Sequence, residues 1–84
     1  MSERLAVIDT MGLRYAVIFE ETAGNWAAYV PDLPGCISAG RTIEDVERNI
    51  REAIRGHLRT LREFGEPIPQ PVSLAKEIEV PSAV

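Results

Sequence analysis

A chain of 84 residues has room for one small domain and none for a second that folds independently. Its 45% hydrophobic content supports a core. The 26% charged residues and the net charge of −4, from 13 acidic against 9 basic side chains, disfavour wholesale disorder, membrane residence and nonspecific capture of nucleic acid. One cysteine cannot close an intrachain disulfide. With a single histidine it also falls short of the common zinc sets, so the composition fits a reducing cytoplasm and implies no metal or cofactor.

The apolar patch Leu5-Ala6-Val7-Ile8 stops at Asp9, well short of signal-peptide or transmembrane length, and residues 1–12 read as an N-terminal segment. From Leu13 to Glu20 the chain alternates, with Leu13, Tyr15, Val17 and Phe19 on one face and Arg14, Ala16, Ile18 and Glu20 on the other, which predicts a strand. Thr22 to Asn25 read as a turn. Trp26 to Val30 resume strand composition with Trp26, Ala28 and Val30 on a shared face, so the two runs form a hairpin. The Gly-Asn order in its loop favours a loop longer than two residues.

Pro31 to Gly35 cannot continue a central strand, because each proline lacks a donor and restricts its neighbour. Cys36 to Ala39 form a short strand that pairs back on the hairpin, and Gly40 ends it.

Thr42 opens the strongest local signal. Its hydroxyl can cap the amide of Asp45, whose carboxylate can answer the Thr42 amide. Ile43, Val46, Ile50, Ala53, Ile54, Leu58, Leu61 and Phe64 then recur at steps of three and four, a stripe that must be buried against the sheet. Acidic residues crowd the first turns and arginines the last, Glu44–Arg48 and Glu47–Arg51 form i, i+4 pairs, and Gly65 followed by Pro67 ends the helix. Gly56, in mid-helix, marks a close approach to a strand or to a partner. Residues 66–73 hold three prolines at alternate positions and read as a stiff link. Ala75 to Val80 alternate loosely and are expected as a last strand at the edge of this sheet or of a partner's.

Several segments resemble the HicB-like antitoxins of toxin–antitoxin systems: Tyr15-Ala16-Val17-Ile18-Phe19-Glu20-Glu21, Gly24-Asn25-Trp26, the run from Ala28 through Val30-Pro31-Asp32-Leu33-Pro34-Gly35-Cys36, Ala39-Gly40-Arg41-Thr42-Ile43-Glu44-Asp45, the helical Asn49-Ile50-Arg51-Glu52-Ala53-Ile54, and the Gly-Glu-Pro-Ile-Pro-Gln-Pro exit. The resemblance covers residues 13–80. It implies an α+β fold with an antiparallel sheet of three to four strands and one long helix on one face (β-β-β-α-β), similar to a partial ribonuclease H fold. Many members add a C-terminal DNA-binding domain; this sequence departs from them and is expected as a single domain over residues 1–84. The implied activity is neutralisation of a HicA-type mRNA-cleaving toxin by occlusion. The implied partner surface is Trp26, Tyr29, Asp32, Leu33, Pro34 and Gly35. The alternative is an orphan oligomeric module that binds some other protein or ligand.

No catalytic residue is expected. His57 has no second histidine or nucleophile beside it to complete an acid–base pair and reads as a packed helical residue. Cys36 has no positive neighbour to activate it and reads as a buried small hydrophobe. Glu20, Glu21 and Asp32 are the only acids at hairpin ends; Asp32 reads as a turn former, and a metal-dependent nuclease is rejected. Arg48, Arg51, Arg55, Arg59 and Arg62 lie along one side of the helix and read as a solvated face paired with glutamates, with phosphate binding or a partner's acidic patch as the alternatives.

Trp26 and Tyr29 fall on opposite faces of the hairpin, and one helix can cover only one face of a sheet. Ala16, Ile18 and Ala27 with Tyr29 make the second face more apolar than solvent exposure favours, which predicts association, most simply a homodimer.

Overall fold

The computed structural model describes residues 3–10 and 12–82; within 3–10 the backbone and the Leu5 side chain are described. The side chains of Ala6, Val7 and Ile8, from the apolar patch noted above, lie outside the described part. Four strands, β1 (Glu3–Thr10), β2 (Leu13–Thr22), β3 (Asn25–Tyr29) and β4 (Ile37–Gly40), form an antiparallel meander in the order β1-β2-β3-β4, followed by one helix, α1 (Ile43–Glu63). This is the α+β arrangement expected, with a long helix on a small antiparallel sheet.

The parity of β2 decides which side α1 covers. Tyr15, Val17 and Phe19 are buried on the helix side together with Ala28 and Val30, and Val46, Ile50, Ile54 and Leu58 of α1 close over them. Burying aliphatic side chains of this size stabilises a fold by about 1.5–3 kcal/mol each, so these four helical residues fix α1 on the sheet. Phe64 does not join them. It is the C-cap residue and 76% exposed, because the chain leaves helical geometry there and carries the ring off the stripe.

Both ends of α1 are closed by backbone-directed bonds. The Asp45 amide donates to Thr42 Oγ1 at 3.0 Å. The Asp45 carboxylate, expected to return to the Thr42 amide, instead accepts from Arg48 Nη2 at 2.9 Å, so Arg48 pairs at i, i+3 with Asp45 and not with Glu44. Arg51 and Glu47 stand 3.9 Å apart as expected. At the other end the Gly65 amide donates to Arg62 O and the Glu66 amide to Leu61 O, a Schellman closure with Gly65 at φ 68°.

Three expectations are corrected. The β2–β3 loop has two residues, Ala23 and Gly24, because Thr22 already pairs with Asn25 and its hydroxyl donates to Asn25 O at 3.3 Å. The outermost strand of the sheet comes from residues 3–10 and not from the C-terminus: Glu3–Thr10 pairs residue for residue with Leu13–Glu20. Ala75 to Val80 form no strand, and Leu74, Ile78 and Val80 are exposed. Alternation equips that segment to pair, but no edge of its own sheet receives it.

Gly40 and Gly56 have opposite surroundings. A Cβ on Gly40 would lie 2.7 Å from the Val46 amide nitrogen and 3.0 Å from Asp45 Cβ, so the first turn of α1 packs directly on the β4 backbone. A Cβ on Gly56 would meet nothing within 4 Å, so no strand of this chain explains that glycine. Gly40→Ala is therefore expected to destabilise the fold by about 1–3 kcal/mol, whereas Gly56→Ala should stabilise it by about 1 kcal/mol. Chemical denaturation of the two variants beside the parent measures both signs.

Candidate binding surface

On the side of the sheet away from α1, direct cross-strand partners place Leu5 opposite Ile18, Ile18 opposite Tyr29 and Tyr29 opposite Ile37. Partners opposite each other share a face, so these four side chains form one apolar row across all four strands. Among the described residues nothing packs over its length: Leu5, Tyr29 and Ile37 are 39, 38 and 69% exposed. Ala27 and Ala39, paired with each other, flank the row with small side chains.

The loop that follows β3 closes one end of the sheet. The Val30 amide donates to Cys36 O, the Leu33 amide to Val30 O and the Cys36 amide to Leu33 O, and Leu33 is fully enclosed in the core. Pro34 and Gly35 are left at the exposed tip, Gly35 at φ 85°, where a side chain would be strained.

Asp32 reaches far along the chain. Its Oδ2 accepts the amides of Val72 and Ser73, each at 3.0 Å, and its Oδ1 accepts the Ser73 hydroxyl at 2.9 Å. The Ser73 amide is the largest influence holding this carboxyl below its ordinary value, and the partial burial that opposes it is smaller. Nearby, the Tyr15 hydroxyl donates to Pro69 O at 2.6 Å, its pKa raised by burial and then by the Asp32 charge. The proline-rich link is thus no free spacer: Ile68 packs against the core, and the segment is tied down at Pro69, Val72 and Ser73.

The six residues expected at a partner surface do not form one patch. Tyr29 stands in the open row. Trp26 is half-buried on the opposite, helix-facing side, Leu33 is in the core, Asp32 is turned to the C-terminal segment, and Pro34 and Gly35 are exposed. The parity of β2 and β3 had already placed Ile18 with Tyr29. Leu5 and Ile37 were missed because their faces follow only from pairing register.

Cys36 is buried, which pushes its thiol pKa up. Together with Gly35 and Ile37 it forms one wall of an open groove of about 420 Å³, whose other wall is the second half of α1, with Ala53, Gly56, His57 and Thr60. Arg59 stands at its rim. Among the described residues, Arg55, Arg59 and Arg62 have no ion-pair partner, so the glutamate pairing expected of the stripe holds only at its start. No group of three or more His, Cys, Asp or Glu among the described residues could hold a metal ion, and no described helix is long and apolar enough to cross a membrane.

Residues 15–83 match the family model described as HicB-like antitoxin of bacterial toxin–antitoxin system. The chain belongs to the HicB-like antitoxin family. It is 38% identical over 69 residues to a UPF0150 protein of Thermoplasma acidophilum, an alignment that covers 81% of this chain and 97% of that protein. It is 34% identical over 67 residues to a UPF0150 protein of Synechocystis, covering 79% and 85% respectively. An uncharacterised 14.9 kDa protein of Haemophilus phage HP1 is 33% identical over 67 residues, 80% of this chain and 50% of the phage protein. No solved structure gives a match.

The Asp32 clamp makes the C-terminal segment of this HicB-like chain sensitive to acid. A carboxyl whose folded pKa lies below its unfolded value stabilises the fold above that unfolded value, and the contribution is lost as pH falls through the folded one. Nuclear magnetic resonance titration should therefore show the Val72 and Ser73 amides shifting together with a midpoint below the ordinary 3.8 of an aspartate. Asp32→Ala, which removes both acceptor oxygens, should release both amides at neutral pH while the α1 and sheet resonances stay in place.

Proposed function

We propose that this chain acts in the cytoplasm as an antitoxin that binds a HicA-type mRNA-cleaving toxin and neutralises it by covering the cleavage site. Family membership supplies the class of partner. The observation that carries the reading is the row Leu5, Ile18, Tyr29 and Ile37, an apolar strip on the one sheet face that α1 leaves open. Exposed apolar patches of this kind mark contact surfaces. Occlusion needs such a surface and no catalytic group, so the chain needs no chemistry of its own.

In this reading Tyr29 is the central contact, an aromatic ring flanked by aliphatic side chains, with Pro34 and Gly35 at the rim. Trp26 and Leu33 act from behind, fixing β3 and its loop on the core, and Asp32 holds the C-terminal segment in place. The net charge of −4 suits a basic partner and would speed its encounter. Direct operator binding is not part of this role.

Coexpression with the product of any short basic reading frame found beside this gene tests the proposal. The parent chain should rescue growth and copurify with that protein. Tyr29→Asp should lose both while melting as a folded domain. Absence of any complex between the parent chain and the neighbouring product would remove the antitoxin reading and leave an orphan binding module.

A further inference from the structure

Among the described residues, and besides the outer edge of β1, two features have no partner inside the chain. The first is the outer edge of β4, which pairs with β3 on one side only and ends the sheet. Asn49 Nδ2 donates to Ala39 O at 2.9 Å, which blocks the far end of that edge, whereas near Ile37 it opens onto the groove beside α1. The second is the segment after Ser73. The Asp32 clamp holds its start, yet Leu74, Ile78 and Val80 are 77, 80 and 66% exposed, in a stretch that alternates like a strand. The radius of gyration, 14.2 Å against about 12 Å for a compact chain of this length, agrees with a segment that leaves the domain.

We propose that residues 74–80 dock as an added strand on the β4 edge of a second copy of this chain, and that the reciprocal exchange makes a dimer. Alternation assigns the two faces of the added strand. Leu74, Lys76, Ile78 and Val80 lie on the face that continues the row past Ile37, which is apolar there except at the lysine. Ala75, Glu77 and Glu79 lie on the face turned to the groove, which Arg59 helps to line. Arg59 and the two glutamates have no ion-pair partner among the described residues, so docking brings opposite charges together as well as filling an open edge.

The same placement accounts for Gly56. It costs α1 about 1 kcal/mol relative to alanine, nothing in its own chain approaches it, and it lines the groove that the incoming strand would enter. The Asp32 clamp then has a use beyond stability, because it sets the point at which the segment leaves one copy for the other.

Sedimentation equilibrium of the purified full chain, with no toxin present, tests this independently of the antitoxin role. The parent should be a dimer at micromolar concentration. Ile78→Pro removes a ladder donor from a residue exposed in the monomer, so it should leave the melting of the domain intact and weaken dimerisation on the order of tenfold or more. Arg59→Glu should weaken it too, and Glu77→Arg with Glu79→Arg in the same chain should restore it. A parent that stays monomeric would overturn the proposal. So would a dimer indifferent to Ile78→Pro, which would put the interface on the open sheet face, or a monomer whose amides from Ala75 to Val80 resist exchange, which would put the segment on its own sheet.

Discussion

A single helix can shield only one side of a sheet, and in this chain every other feature is arranged around that limit. The stripe Val46, Ile50, Ile54 and Leu58 lies on Tyr15, Val17, Phe19, Ala28 and Val30, and these residues make up nearly the whole buried core. Among the described residues there is no second helix with which to cover the opposite face. That face is left with a row of apolar side chains whose alignment is imposed by strand register, since shifting any strand by one residue would turn its member of the row into the core.

The close contacts that hold α1 in register lie at its two ends. At its start the helix backbone sits on Gly40, which has no side chain to keep the two apart, and Asn49 ties the helix to the Ala39 carbonyl. Beyond its end the Schellman turn redirects the chain, and Tyr15 and Asp32 catch it at Pro69, Val72 and Ser73. Tyr15 belongs to the second strand and Asp32 to the loop after the third, so the returning segment links parts of the chain that are otherwise joined only through the sheet. Its anchoring depends on a carboxylate that must stay ionised to accept three donors at once.

What could be read from the sequence, and what could not, divides along the range of the interactions. The strand at Leu13, its partner face from Trp26 to Val30, the Thr42 cap and the Gly65 exit are each written in residues within a few positions of one another, and each is found where the pattern puts it. The strand at Glu3–Thr10 was missed because its apolar residues are consecutive and not alternating, so nothing local distinguishes it from a solvated lead-in; its place comes from pairing with Leu13–Glu20. The two-residue loop is not legible locally because the Gly24-Asn25 order is not that of a tight turn, whereas Asn25 belongs to the ladder and Ala23-Gly24 make the turn. Asp32 read as a turn former because its partners are some forty residues away, a separation at which no spacing rule operates. For the candidate surface, Tyr29 was legible by parity, whereas its alignment with Leu5 and Ile37 required the register of all four strands.

The two contacts proposed for this chain use different directions of the same sheet. A strand added at β4 extends the sheet within its own plane, by hydrogen bonds that run from edge to edge. A toxin seated on Leu5, Ile18 and Tyr29 approaches perpendicular to that plane, through side chains. The two therefore do not compete for the same groups, except at Ile37, which stands where the row meets the edge. Leu74, Ile78 and Val80 of the incoming strand would fall on the same side as that row, so strand exchange would widen the apolar surface and leave it open. Dimerisation and toxin binding would then reinforce each other through shape alone, with the second copy supplying the part of the contact face that an 84-residue chain cannot build by itself.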